Sequence, residues 1–315
     1  MASRRLHSPH AARSPQPSHR QPPRRPEPSP ARGPQRPRGP EPFEEASAQR
    51  PRSPEPSPVG APVELVQGLR AGLATFAKRP DDVQRVAYAH TVRREVAGLE
   101  RWALAQGVPC AQVSPAEIDA LVRSMHGDGR DEGGHHEGLV LVTRPRRWTA
   151  PRDLAEALVR ERGAAVAIDR VRNPYNIGAI LRSAAFFGLQ GAVFGAHALP
   201  PTSAAAGLAS TTVRVAEGGV EHLALARTTD LADTLARMRE SGIRVVGADG
   251  HATTSATGFK YGRPVVLVMG HEREGLGERV RAQCDAIVAI PGGGKVESLN
   301  VAVAAGVIMA MMMKG

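Results

Sequence analysis

The sequence predicts an α/β fold: a mostly parallel sheet with helices on both faces, preceded by a small α/β domain and a disordered basic tail. Three observations carry this reading. Through the C-terminal half, short apolar runs alternate with helical patterns several turns long, which favours parallel strands joined by crossover helices. The stretch from Ala61 to about Arg147 repeats that alternation on a smaller scale. Residues 1–60, by contrast, cycle through Pro, Arg, Ser and Glu around a single aromatic, Phe43, and offer too little apolar surface to offset the entropy of ordering.

In the front domain the patterns predict a helix around Glu64 to Phe76, a strand at Val83 to Ala87, a helix at Val92 to Ala105 and a strand at Cys110 to Val113. Ser114, Pro115 and Glu117 then mark a helix start, with an N-cap hydroxyl, a proline at the first helical position and the reciprocal glutamate of a capping box. Gly127 to Gly134 reads as a polar loop leading to a strand at Leu139 to Thr143. His135 and His136, at that junction, read as structural or exposed ahead of RNA-contacting. A helix from Asp153 to Arg162 connects to strands expected at Ala164 to Asp169, Gly191 to Phe194, Ile243 to Ala248, Pro264 to Met269 and Ala286 to Ile290. The expected organisation is a tail (1–60), a front domain (61–148), a linker helix (149–160) and the larger domain (161–315). In sheets of this kind ligands gather at loops leaving the carboxyl ends of the strands.

With 315 residues, 41% of them hydrophobic, the chain can bury one or two domain cores. Its net charge of +10 points to a polyanionic partner. Much of that charge lies in residues 1–60, which hold 11 Arg against 5 Glu. Two cysteines, Cys110 and Cys284, exclude a disulfide framework or a four-thiolate zinc site and suit a reducing, cytoplasmic setting. No apolar leader segment opens the chain, and the longest apolar run, Val301 to Met313, is too short for a membrane-spanning helix. The prolines scattered from Pro9 to Pro58 argue against an amphipathic transit peptide.

Three loops carry chemistry. The first, Asn173 to Ser183, turns from a strand into a helix whose Ile177, Ile180, Leu181, Ala184 and Gly188 share a face that should pack on the sheet. Arg182 lies off that face, one turn after Gly178, where a missing Cβ lets backbone or ligand approach closely. Taken alone, it reads as a solvated helix arginine. The second, Gly270 to Leu276, contains His271-Glu272 but has Gly275 where a zincin requires its second histidine, so the metal reading fails. Glu272 reads either as a surface glutamate in a tight turn or as an acceptor for loop amides or a ligand. The third, Ile290 to Asn300, exposes backbone N–H groups at Gly292, Gly293 and Gly294 and sets Ser298 and Asn300 near the start of the final helix. That helix carries a small-residue stripe, Ala302, Ala305 and Gly306, along which another segment can pass closely.

Together these segments resemble the three motifs of the SpoU/TrmH methyltransferases of the SPOUT superfamily: Asn176, Gly178 and Arg182; Gly270, Glu272 and Gly275; and Ile290-Pro291 followed by Glu297-Ser298-Leu299-Asn300. The likeness covers roughly residues 160 to 315, including Ala216 to His222, which is similar to the family's intermotif region. Residues 61 to about 145 resemble, more weakly, the L30e-like RNA-binding domain that often precedes it. The resemblance implies a trefoil-knotted domain, generally homodimeric, that methylates a ribose 2'-hydroxyl in tRNA or rRNA using S-adenosyl-L-methionine. It implies cofactor contacts at Met269, Gly270, Glu272, Ile290, Ser298 and Leu299. Arg182, Asn176, Glu272, Ser298 and Asn300 become the catalytic set.

In-line methyl transfer needs no metal, so positioning the acceptor against the methyl supplies much of the acceleration. The family proposal makes Arg182 a general base; a guanidinium stays protonated in essentially all protein settings, so an electrostatic clamp on phosphate and nascent alkoxide is the safer role. Asn173, His271 and Gly292 depart from the family pattern at an acid, a small residue and a frequent methionine. The rival reading is a non-catalytic RNA-binding protein that keeps the knot. A nucleotide-binding enzyme of another class lacks support, since no G-x-G-x-x-G follows the Ala164 strand. If the tail tethers RNA, deleting residues 1–60 leaves thermal melting unchanged and lowers RNA affinity at low salt; identical salt slopes with and without it would remove that role.

Overall fold

A computed structural model describes residues 62–126, 136–198 and 207–313, all within the unit Pro54–Gly315. The tail and the loop from Gly127 to Gly134 lie outside the described residues, as does His135.

The front part runs β1 (Glu64–Gln67), α1 (Leu69–Lys78), β2 (Val83–Tyr88), α2 (Ala97–Gln106), β3 (Cys110–Gln112), α3 (Pro115–His126) and β4 (Leu139–Thr143). Its sheet has the order β1-β4-β2-β3, with β4 antiparallel to both β1 and β2, and β3 parallel to β2. The start of α3 is the reciprocal box expected of its sequence: Ser114 N donates to Glu117 Oε2 at 2.8 Å and Glu117 N to Ser114 Oγ at 3.3 Å. The helix expected from Glu64 is corrected. Glu64–Gln67 is a strand, all four residues buried, and Gly68 at φ 102° turns the chain into α1. Pairing along β4 supplies the strand's energy, and burial on both faces removes the alternation that would have announced it. Likewise a 3₁₀ turn occupies His90–Val92 and α2 begins only at Ala97.

α4 (Pro151–Glu161) leads into the larger sheet. Its strands are β5 (Ala164–Ile168), β6 (Gly191–Phe194), β7 (Ala224–Arg227), β8 (Arg244–Ala248), β9 (Thr254–Ser255), β10 (Val265–Met269) and β11 (Ala286–Ala289). They pair in the order β7-β6-β5-β10-β8-β11-β9, every pair parallel. The helices are α5 (Pro174–Phe186), α6 (Ser210–Val215), α7 (Leu231–Glu240), α8 (Glu278–Arg281) and α9 (Val301–Met312). Alternate strand residues serve opposite faces: Ala164, Val166 and Ile168 pack with Ile177, Ile180, Leu181 and Ala184 of α5 and with α9, while Ala165 and Ala167 pack with Leu154 and Leu158 of α4 and Leu235 of α7. Among the described residues no helix is long and apolar enough to cross a membrane.

One apolar cluster runs from the front sheet, through Val66 and Ala71, to Val213, Ala216 and Val220 beside the larger sheet. A buried charge cluster pins the same junction. Glu64 Oε1 accepts from Arg146 Nη2 at 2.9 Å and Glu64 Oε2 from Arg79 Nη2 at 2.9 Å. Arg146 Nη2 also donates to Glu221 Oε1 at 2.9 Å. Burial pushes the Glu221 carboxyl up, but Arg146 and Arg79 outweigh it and hold its pKa below the ordinary range. Glu64 and Arg146 are 3% and 7% exposed, so neither charge can turn to water when its partner is removed. Arg146→Ala should therefore cost about 3–5 kcal/mol in urea denaturation. A loss of under about 1 kcal/mol, the value of an exposed pair, would show the cluster to be solvated.

Candidate active site

The first loop enters α5 through Asn173, whose side chain caps Tyr175 N at 2.9 Å, with Pro174 opening the helix. This places Asn176 on the first turn, at the carboxyl edge of the sheet. Its Nδ2 donates to Glu272 Oε1 at 2.7 Å, and its Oδ1 accepts from Asn300 Nδ2 at 3.1 Å. Asn300 Oδ1 in turn caps α9, accepting from Ala302 N at 2.9 Å and Val303 N at 3.3 Å. The direction of this chain is forced: an ionised Glu272 only accepts, so the amide nitrogen of Asn176 must face it, which leaves the oxygen for Asn300. One residue from each of the three loops is thus tied to the next.

The second loop leaves β10 at Gly270. A Cβ there would lie 2.5 Å from the carbonyl of Gly275, so only glycine lets the turn close. His271 and Gly275 exchange backbone hydrogen bonds of 3.0 and 2.9 Å, with Gly275 at φ 65°. His271 Nδ1 accepts from Arg273 N and Glu274 N, both at 3.3 Å, so this departure from the family pattern supports the turn from within. Two residues after β5, not singled out from the sequence, brace the loop: Asp169 Oδ2 accepts from Gly277 N at 2.8 Å and Arg170 Nη2 donates to Gly275 O at 3.1 Å. A charged pair directly following a buried strand was the available signal.

The third loop leaves β11 at Ile290, and residues 291–300 are exposed. Cβ atoms built on Gly292, Gly293 and Gly294 would meet nothing within 4 Å, so no neighbour crowds this stretch of the loop. Ser298 and Leu299 stand on this loop just before α9, and Met269 closes β10, buried. The small-residue stripe packs as expected, with Ala305 buried and a Cβ on Gly306 placed 3.5 Å from Ser183 Oγ of α5.

Arg182 does not join the carboxamide chain. Six residues beyond Asn176, it lies about 240° around the helix axis. Its Nη1 pairs with Glu217 Oε1 at 2.9 Å, half exposed. The room beside Gly178 is filled by α6: a Cβ there would lie 2.7 Å from Val215 Cβ and 2.8 Å from Thr212 O. His136 is structural, 8% exposed, its Nδ1 accepting from Gly138 N at 3.0 Å.

Residues 163–310 match the model of the SpoU rRNA methylase family. A Bacillus subtilis protein named as a TrmH family tRNA/rRNA methyltransferase, YacO, is 32% identical over 70% of this chain and 83% of its own length. The chain belongs to the SpoU/TrmH family. The 23S rRNA (guanosine-2'-O-)-methyltransferase RlmB of Nitrosomonas europaea is 32% identical over 78% of this chain and 89% of its own. The crystal structure of the SpoU methyltransferase AviRb from Streptomyces viridochromogenes, in complex with AdoMet, superposes with a TM-score of 0.62 at 26% identity, covering 80% of this chain and 90% of that one. In this SpoU/TrmH chain Asn300 serves two ends at once, capping α9 and steadying Asn176. Asn300→Ala should cost about 1 kcal/mol in thermal denaturation, the value of a helix cap, while Asn300→Asp keeps the cap and the stability. Equal losses in both variants would place the stabilisation in the contact with Asn176.

Proposed function

We propose that the chain transfers a methyl group from S-adenosylmethionine to a ribose 2'-hydroxyl of a structured RNA, tRNA or rRNA. The observation that carries this reading is the Glu272–Asn176–Asn300 chain, which ties three motif loops together at the carboxyl edge of a parallel sheet in a SpoU/TrmH protein. The residues present fit the cofactor: Gly270 closes a tight turn, the glycine-rich third loop offers unscreened main-chain groups, and Glu272 provides a carboxylate. Gly270, Ile290 and Leu299 would hold it through main-chain groups, with Met269, Glu272 and Ser298 beside them. When bound, it supplies an electrophilic methyl on a sulfonium.

The chain's own residues deal with the sugar oxygen. Asn300 steadies Asn176, which holds Glu272 in one orientation, and Ser298, on the third loop, would help orient substrate. Arg182 stays cationic and clamps phosphate and the developing alkoxide; its half-exposed guanidinium keeps donors available for both. Around this site we infer a trefoil knot formed by the C-terminal segment and an L30e-like front domain that grips RNA. Residues 149–160 act as the linker helix and residues 1–60 as a basic tether. A homodimer in the cytoplasm fits the exposed Tyr175 and Val303, which flank an apolar groove between α5 and α9 suited to a second copy.

The test incubates the purified chain with methyl-labelled S-adenosylmethionine and total RNA from cells lacking the protein. Label should enter RNA as 2'-O-methyl, and Arg182→Ala should abolish it while leaving cofactor affinity, by calorimetry, nearly intact. Undiminished transfer by Arg182→Ala refutes the clamp. No transfer by the natural chain leaves a non-catalytic RNA-binding protein.

A further inference from the structure

Arg182 is one end of a row of three charges that crosses from the larger domain to the front one. Glu217 Oε1 meets Arg182 Nη1 at 2.9 Å, and Glu217 Oε2 accepts from Arg70 Nη1, on α1, at 2.6 Å. The turn that presents Glu217 is wedged between the two helices. A Cβ on Gly218 would lie 2.5 Å from Ala74 Cβ of α1, and one on Gly219 would lie 3.2 Å from Arg182 Cα of α5. Glycine at both positions lets α1 and α5 close on the turn.

Glu217 itself sits at φ 45°, a left-handed conformation that glycine adopts freely and glutamate rarely. A side chain retained under such backbone strain points to a use for that side chain. Exposed ion pairs contribute little to stability, and Arg70 and Arg182 are 71% and 52% exposed. The effect of the row therefore lies in where it holds the guanidinium. Glu217 engages Nη1 of Arg182, which leaves Nη2 and Nε as donors for phosphate and sugar oxygen.

We propose that Glu217 is a positioning residue for Arg182, and that Arg70 sets the direction Glu217 faces, so that the front domain helps to present the guanidinium. This rests on the reading of Arg182 as the clamp beside the reacting ribose. A long arginine side chain loses much rotamer freedom when held, and paying that cost before substrate arrives raises the fraction of bound complexes ready to react.

The experiment uses the full chain, labelled S-adenosylmethionine and total RNA from cells lacking the protein, and measures kcat, KM for RNA, cofactor affinity and melting temperature. Glu217→Gly removes the carboxylate and relieves the backbone strain together. Its kcat should fall on the order of tenfold, as misplacement of a catalytic group predicts, while melting temperature holds or rises and cofactor affinity is unchanged. Glu217→Gln, which keeps one acceptor oxygen, should recover part of the loss. Arg70→Ala should lower kcat less than Glu217→Gly and add nothing to it in the double variant.

Natural kcat in Glu217→Gly, with Arg182→Ala inactive, overturns the inference and leaves the function standing. A fall in kcat matched by a fall in melting temperature in both Glu217 variants assigns Glu217 to the fold and overturns it, as do additive losses in the double variant. Natural activity in Arg182→Ala overturns the clamp and the inference with it.

Discussion

The side-chain amide of Asn176 is the constraint on which the rest of the site depends. The three motif loops leave different strands, β5, β10 and β11, and residues 291–300 of the third are exposed, so burial does not hold that loop against the other two. Asn176 and Asn300 sit instead at the starts of α5 and α9; Asn176 binds both other loops through its two amide atoms, and Asn300 uses its nitrogen on Asn176 and its oxygen to cap α9. Because a carboxylate cannot donate, the chain has one polarity, and Glu272 is presented in a single orientation.

A different economy governs the junction between the two sheets. Arg146, Glu64, Glu221 and Arg79 bury opposite charges together, an arrangement whose Coulombic gain is largely consumed by desolvation. Its return is geometric. The apolar cluster shared by the sheets tolerates sliding, whereas paired guanidinium and carboxylate groups accept one register, and that register brings α1 against the turn carrying Glu217. Thr75 reinforces it, its hydroxyl donating to Glu221 Oε1 at 2.8 Å.

The sequence disclosed most where one local rule acted alone. The capping box at Ser114, the α5 face of Ile177, Ile180, Leu181 and Ala184, and the strand Gly191–Phe194 follow from capping chemistry and periodicity without help from distant residues, whereas Gly188, expected on that face, lies beyond the helix at φ 71° and is exposed. Glu64–Gln67 misled because a strand buried on both faces has no alternation, and β7 and β9 were passed over because strands of four and two residues carry too little pattern to register. At the site, Asn176, Glu272 and Asn300 were legible as motif positions, but their mutual hydrogen bonds join residues about a hundred positions apart and leave no local trace. Glu217 was hidden for the same reason: its partners Arg70 and Arg182 lie on separate helices, α1 and α5, far apart in the sequence.

Helix geometry explains why the motif-one residues divide into two groups. Six residues along α5 carry the side chain about two-thirds of a turn around the axis beyond one full turn, so Asn176 and Arg182 cannot serve the same neighbour. Asn176 turns toward the loops that would hold the cofactor, while Arg182 turns toward the Glu217 turn and the front domain. In the proposed reaction, one helix would therefore separate the group that orders the methyl-donor side from the group that meets the polyanion. With its buried apolar face packed on the sheet, α5 cannot rotate to exchange them, so under the proposed function a substrate sugar would approach from the Arg182 side to meet both a cation and an ordered pocket.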